Sequence, residues 1–588
     1  MSSTTVDHIQ QDRTGAARLV PLLGWLRRYN RRLLRHDFVA GLTVAVMLVP
    51  QSMAYAALAG MPPVAGLYAS VVPLLVYALL GTSGATAVGP VAITALMTSA
   101  ALAPIAEGDP ARYAALAGLL ALLVGAVQLL MGLLRLGALV NFLSHSVLAG
   151  FTSAAAIVIA SSQIKNLLGL DAERPDNFQE IVTMVWESAG TAHGLTIAVG
   201  IVSIVGLLLL RRFVPRVPGA LLVVAAVTTV SAAVGFGDRG VRILEEVPQG
   251  LPFPAFPTLS LGDVQALLPA AVAIALVGYM EGVAVAKVLA AKARQQVSPN
   301  QELMAVGGAN VSAGLFQGFP VAGGFSRSAV NFQAGARTPV ATVVTALVVA
   351  FTALVLTPAF YHLPRAVLGA IVVVAVLGLV DHKSAVTAWR TRRTDGLTFA
   401  VTFVVTLLVG VEPGLAAGVA FSLAVFVLRS ARPHVAELGR VPGSHVYRNV
   451  ARYAGLVTDP RVAVVRVDGP LYFANAQLLE DTLAGLAENR SSLQALVLDA
   501  SAIGDADADG AHALEQLHER LASRGVDLHL ATVRGPVRDV LSRAGVWAPL
   551  RRDGLIHADL AAAVDATGVE APLADPMPER APAPQEVL

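Results

Sequence analysis

The chain has 588 residues, of which 55% are hydrophobic and only 14% charged, whereas soluble domains carry roughly 25% charged residues. With a mean hydropathy of +0.66, part of this surface is expected to sit in a bilayer. A formal net charge of +2 is too small to mark a nucleic-acid partner, and the absence of cysteine excludes disulfides and thiolate metal sites.

Residues 1–36 are polar and hold Arg13, Arg18, Arg27, Arg28, Arg31, Arg32 and Arg35. They lack the short apolar core and cleavage site of a signal peptide, and they read as a cytoplasmic N-terminal segment. A membrane domain is expected over 37–432. A spanning helix needs about 20 mostly apolar residues. Such runs fall near 39–60, 62–80, 85–104, 110–136, 139–165, 193–210, 217–236, 264–290, 299–319, 325–335, 338–358, 364–381, 395–411 and 413–430. The third and tenth are glycine-rich on their N-terminal side and read as half-helices. The chain is therefore expected to be a multi-pass α-helical membrane protein with 14 segments.

Lys and Arg in short loops set orientation. With the N-terminal segment inside, an alternating path also places Arg135, Arg211/Arg212/Arg216, Lys287/Lys292/Arg294, Lys383/Arg390/Arg392/Arg393 and Arg429/Arg432 inside. The 166–192 loop falls outside and is acidic, with Asp171, Glu173, Asp176, Glu180 and Glu187. Beyond 430, strand-like runs (Val462–Val467, Leu496–Leu498, Val526–Ala531) alternate with helical patterns (Ala476–Ala487, Ala511–Ser523, Pro536–Arg543). That alternation predicts a small cytoplasmic α/β domain over 445–565. Residues 566–588, rich in Pro, Ala and Glu, read as a disordered tail.

Glu281 lies within the eighth segment, in AIALVGYMEGVAVAKVLAAK. A carboxylate there is costly unless it faces the protein interior, pairs or takes a proton. It reads as a coupling-ion site, with an interhelical hydrogen bond as the plainer role. The tenth segment is approached through GFPVAGGFSRSAVNFQ. Gly323 and Gly324 break the helical pattern, and Ser326 is expected to cap the helix that follows. A helix start presents unpaired N–H groups to an anion, and Arg327 adds a full charge. Gly89 and Pro90, in GTSGATAVGPVAITALM, predict a second helix start at the third segment. Two such half-helices in equivalent places of two repeats make an anion pocket, although Gly and Pro also serve close helix packing. Gln51 and Tyr55, four residues apart on one face of the first segment, are candidates to line it. His145 and His193, near segment ends, read as structural. No His/Asp/Glu cluster has metal spacing and no catalytic constellation is visible, so neither a metal nor an enzyme is expected.

These residues resemble the SulP (sulfate permease) family of anion transporters. The resemblance is carried by GLTVAVMLVPQSMAYAALAGMPPVAGLYAS at 41–70, by GTSGATAVGPVAI at 81–93, and by the stretch from Glu281 through NQELMAVGGANVSAGLFQGFPVAGGFSRSAVNFQAGARTP. It implies a seven-plus-seven inverted repeat divided into core and gate subdomains, an elevator-like movement of the core, and a homodimer. By family pattern the anion contacts Gln51, Tyr55, Val91, Ser326, Arg327 and Ser328, and Glu281 occupies the acid position of symporters. The domain after 445 looks like a STAS domain. Its Asp507-Ala508-Asp509-Gly510 stretch stands where STAS antagonists carry a phosphorylatable Ser, which puts that switch in doubt here, and Asp509 near a helix start would stabilise it.

The expected function is proton-coupled symport of sulfate or a related small anion across the plasma membrane. A cytoplasmic partner for the STAS domain is expected, and no organic cofactor. Sodium-coupled transport of bicarbonate or a dicarboxylate stays open, as does an anion channel or sensor. A nucleobase permease of the same fold would need acids in both the eighth and tenth segments, and the tenth has Ser326-Arg327-Ser328 instead.

Overall fold

A backbone that leaves water must satisfy its own N–H and C=O groups, and the apolar runs do so as helices. The computed structural model describes Pro21, Trp25 and residues 29–137, 144–170, 178–214, 218–256, 260–293 and 295–569. Arg13, Arg18, Arg27, Arg28, Asp171, Glu173, Asp176, Arg216, Arg294, the side chain of Glu180 and the expected tail from 570 on lie outside the described residues.

All fourteen expected segments hold a helix. In chain order these are α1 Arg31–Leu58, α2 Pro63–Leu80, α3 Ala92–Ala106, α4 Pro110–Leu133, α5 His145–Leu168, α6 Gly194–Phe213 and α7 Gly219–Val234. The second set is α8 Leu261–Ala293, α9 Pro299–Leu315, α10 Phe325–Gln333, α11 Val340–Phe360, α12 Arg365–Val376, α13 Arg393–Leu408 and α14 Val411–Ser430. Local chemistry sets several starts. Asn30 caps α1 by accepting from Leu33 N, and Asp109 caps α4 by accepting from Ala111 N with Pro110 behind it. Two further helices, Phe178–Ser188 and His382–Thr391, were not expected from the apolar pattern.

The packing repeats with inverted order. Helix α4 packs on α8 and α9, and α11 correspondingly on α1 and α2; α3 packs on α8, and α10 on α1. A second group joins α5 to α13 and α6 to α12. Glycine permits the closest approaches. A Cβ on Gly125 would lie 2.6 Å from Val311 N, and one on Gly314 would lie 2.5 Å from Gly118 O.

Two buried carboxylates lash the irregular segments to this frame. Glu302 of α9 accepts from Thr82 N (2.7 Å), Thr82 Oγ1 (2.6 Å), Ser83 N (3.2 Å) and Tyr77 OH (2.8 Å). Asp37 of α1 accepts from Arg337 N (2.8 Å), Thr338 N (3.1 Å) and Thr338 Oγ1 (2.6 Å). One holds the chain that leads into α3, and the other holds the chain that leaves α10.

A separate compact unit begins at Leu423. Two short strands, β1 Val88–Gly89 and β2 Ala322–Gly323, belong to the membrane unit; the sheet of this second unit is built from β3 His434–Arg440, β4 Tyr447–Asn449, β5 Val462–Asp468, β6 Ala495–Asp499, β7 Asp527–Ala531 and β8 Ile556–His557, in the order β4-β3-β5-β6-β7-β8. Strands β5 to β8 run parallel, and β3 joins β5 antiparallel. The domain thus starts before the expected residue 445. Strand β3, HVAELGR, which lies between β4 and β5, is too polar to announce itself by alternation. Asp507 caps the helix Ala508–Ala522 through Gly510 N and also accepts from Phe473 N; Asp509 lies in the first turn.

Glu302→Ala would strand buried donors and is expected to destabilise the membrane unit by roughly 3 kcal/mol. The check is thermal unfolding in detergent, where an unchanged midpoint would show that the clamp carries nothing.

Candidate functional site

The chain enters α3 and α10 in extended form, and inside a membrane such backbone must find a partner. Each stretch finds the other. Strand β1 (Val88–Gly89) pairs antiparallel with β2 (Ala322–Gly323), with Val88 opposite Gly323 and Gly89 opposite Ala322. Gly89 has φ +151°, a conformation that L side chains rarely adopt. A Cβ on Gly323 would lie 2.7 Å from Gly282 Cα, so α8 touches β2 backbone to backbone. That contact brings Glu281, the neighbour of Gly282, to the crossing.

This pairing corrects two expected caps. Helix α3 begins at Ala92 with Val91 as N-cap, so Pro90 precedes the helix and does not open it. Helix α10 begins at Phe325 with Gly324 as N-cap, and Ser326 lies inside the first turn. In both places the ladder fixes the last extended residue, which side-chain propensity does not reveal. Ser328 holds the two halves together, accepting from Ala87 N (2.9 Å) and donating to Gly324 O (2.7 Å). Asn331 Nδ2 donates to Ala85 O at 3.0 Å.

Both helix starts open on a cavity of about 650 Å³. Gln51, Tyr55, Val91, Glu281, Ser326 and Arg327 line it. Gly89, Pro90 and Ser328 do not; they shape the crossing behind it. Arg327 is 3% exposed, and its Nη1 donates to Pro90 O at 2.5 Å. Its Nε and Nη2 are buried with no hydrogen-bond partner among the described residues, as is Glu281 Oε2. The guanidinium also lies across both glycines, since a Cβ on Gly324 would come within 3.0 Å of Nη2 and one on Gly89 within 3.4 Å. The first-turn N–H groups of α3 and α10 have no intrahelical acceptor, so this end of the cavity is electropositive.

The sequence reading missed part of the lining. Thr43 and Met47 extend the Gln51–Tyr55 face at four-residue spacing, a signal that was available. Ile371 and Val374 of α12 and Arg211 at the end of α6 close the opposite wall, and the apolar members carry no mark that separates a cavity wall from a lipid face. His145 meets Ser384 Oγ at 3.1 Å and His193 meets Thr196 Oγ1 at 2.9 Å, each away from this cavity. Among the described residues no group of three or more His, Asp or Glu is placed to hold a metal ion.

Paired half-helices that meet inside a multi-pass helical domain, with an ionisable pair between them, define a membrane transporter of the inverted-repeat class. Residues 34–402 match the model of the sulfate permease family, and residues 453–552 match the STAS domain. The chain is 38% identical over 550 residues to the chloroplastic sulfate transporter 4.1 of Arabidopsis thaliana, covering 90% of this chain and 79% of that one. It is 34% identical to the high affinity sulfate transporter 2 of Stylosanthes hamata, covering 89% and 82%. The structure of the murine solute carrier 26 family member A9 anion transporter in the inward-facing state matches with a TM-score of 0.88 at 27% identity, covering 96% of this chain and 97% of that one. The transmembrane domain of the cyanobacterial bicarbonate transporter BicA shares the fold, with a TM-score of 0.59 at 23% identity over 67% of this chain and 98% of that one. The chain belongs to the sulfate permease family and carries a STAS domain, which places it among multi-pass membrane anion transporters with the seven-plus-seven fold.

Gly323→Ala is expected to push α8 off β2 and cut anion uptake by more than about tenfold, because overpacking at backbone contact is poorly relieved. Gly485→Ala, where nothing lies within 4 Å, is the control expected to leave uptake unchanged. Equal uptake by both variants would show that the contact is dispensable.

Proposed function

We propose that this protein is a secondary active transporter that carries sulfate or a related small oxyanion together with protons. The observation behind this reading is one cavity that joins two helix starts, an arginine with two unpartnered nitrogens and a glutamate. An oxyanion offers several acceptors, so it can engage Arg327 and the first-turn amides of α10 and α3 together. Glu281 faces the same space. Ionised, it repels a bound anion; with a proton it does not. Proton and anion therefore favour each other's binding, and by linkage the effect is reciprocal.

The core group α1–α4 and α8–α11 carries this cavity, and its movement past the gate group would expose it alternately to the two sides. The basic residues at Arg211, Arg212 and 383–393 support a cytoplasmic face for the ends that bear them. Both termini are accordingly proposed to be cytoplasmic, the membrane to be the plasma membrane, and the assembly to be a homodimer.

Uptake into proteoliposomes tests the reading, with labelled sulfate, bicarbonate and fumarate under an inward proton gradient or a sodium gradient. Sulfate uptake is expected to rise with the proton gradient and to lose that response in Glu281→Gln. Arg327→Ala is expected to weaken anion affinity by about tenfold or more, because charge-assisted bonds are the strong ones. Uptake driven by sodium alone would contradict proton symport, and unchanged affinity in Arg327→Ala would remove that residue from the site.

A further inference from the structure

A second cavity, of about 570 Å³, lies along the same seam as the first. Helices α1 and α12 show the relation. On α12, Arg365, Ala366 and Leu368 line the second cavity, while Ile371 and Val374 line the first. On α1, Tyr55 lines the first, while Ala54 and Ala57 line the second. Leu368 and Ile371 are three residues apart, about 4.5 Å along a helix axis, and both are buried. Helix α6 runs from one cavity to the other, with Thr196 at its start in the second and Arg211 at its end in the first. The two cavities thus approach the same point from opposite faces, with one apolar turn of α12 between them.

The second cavity has a predominantly basic lining. Among the described residues its charged lining residues are Lys165, Arg242, Arg365 and Asp109, three cations and one carboxylate. The two arginines are set side by side by backbone pairing. Arg365 N donates to Arg242 O at 2.9 Å, Leu244 N donates to Leu363 O at 2.9 Å, and Ile243 bridges Pro364. Gln163 and Asn166, joined at 3.0 Å, add amide groups to the same wall. Cations lining a low-dielectric cleft focus its field and concentrate anions there.

We infer that this cavity is a second anion site, a collecting vestibule in which Arg365, Arg242 and Lys165 hold a small oxyanion on the face opposite the first cavity. The inference rests on the transport reading for its ligand, since the vestibule serves an anion that will pass to Arg327. Held by charge more than by directed bonds, the anion binds loosely and remains free to move on. Asp109 weakens the site as a like charge, while its carboxylate caps α4.

The chain contains no cysteine, so a single introduced thiol reports on this cavity alone. Asn166→Cys is placed in the full chain and treated with an anionic and a cationic methanethiosulfonate reagent. The anionic reagent is expected to be favoured by about tenfold relative to a free thiol, and sulfate is expected to slow its reaction. Adding Arg365→Gln and Arg242→Gln should abolish the charge preference and raise the half-protecting sulfate concentration by about fivefold or more. The corresponding Lys variants should preserve both, which separates charge from folding. Asp109→Asn keeps a capping side chain and should lower the half-protecting concentration. Protection should persist in Arg327→Ala. Loss of protection in Arg327→Ala, or a preference and protection that survive both Arg→Gln changes, would overturn the inference. Protection at Asn166→Cys in a protein that transports no oxyanion would support this site and defeat the transport reading. Sulfate transport without protection would do the reverse.

Discussion

The architecture depends on one constraint, that extended backbone inside a membrane must be paired. Two stretches are extended, one before α3 and one before α10, and each satisfies the other through the β1–β2 ladder. The pairing forces the two helices to start at neighbouring points. Their unpaired N–H groups then face a common space, and Arg327, reaching from one half to Pro90 O of the other, is carried there with them. The proposed anion site follows from the fold's own need to close its hydrogen bonds.

The rest of the membrane unit holds that crossing still. Glu302 and Asp37 fix the chain on its two flanks. Between them, Asn310 Oδ1 accepts from Val321 N, while its Nδ2 donates to Gln128 Oε1, Val306 O and Val321 O. Gln128 Nε2 donates in turn to Ala275 O on α8. A fully satisfied buried network of this kind specifies one arrangement. Among the described residues at the crossing, Arg327 Nε and Nη2, Glu281 Oε2 and Asn331 Oδ1 are buried without a hydrogen-bond partner.

Much of this was legible in the sequence, for identifiable reasons. Spanning helices announce themselves by length and hydropathy, and all fourteen were readable. Gly89, Gly323 and Gly324 marked the breaks, because helix propensity fails at glycine. The caps were misplaced because Val91 and Gly324 become N-caps through a ladder between residues more than 230 apart in the chain, which no local rule supplies. The helix His382–Thr391 was hidden because its charges resembled an inside loop. The wall formed by Ile371 and Val374 was invisible because an apolar residue against lipid and one against a cavity look alike.

The most direct test of the central claim is to locate an anion at the crossing. Selenate, a sulfate analogue with a strong anomalous signal, would be soaked into crystals of the protein. The account predicts an anomalous peak within hydrogen-bonding distance of Arg327 and of the first-turn amides of α10, with α3 on its other side. Selenate bound only elsewhere, with the space between the two helix starts empty at saturating concentration, would contradict it.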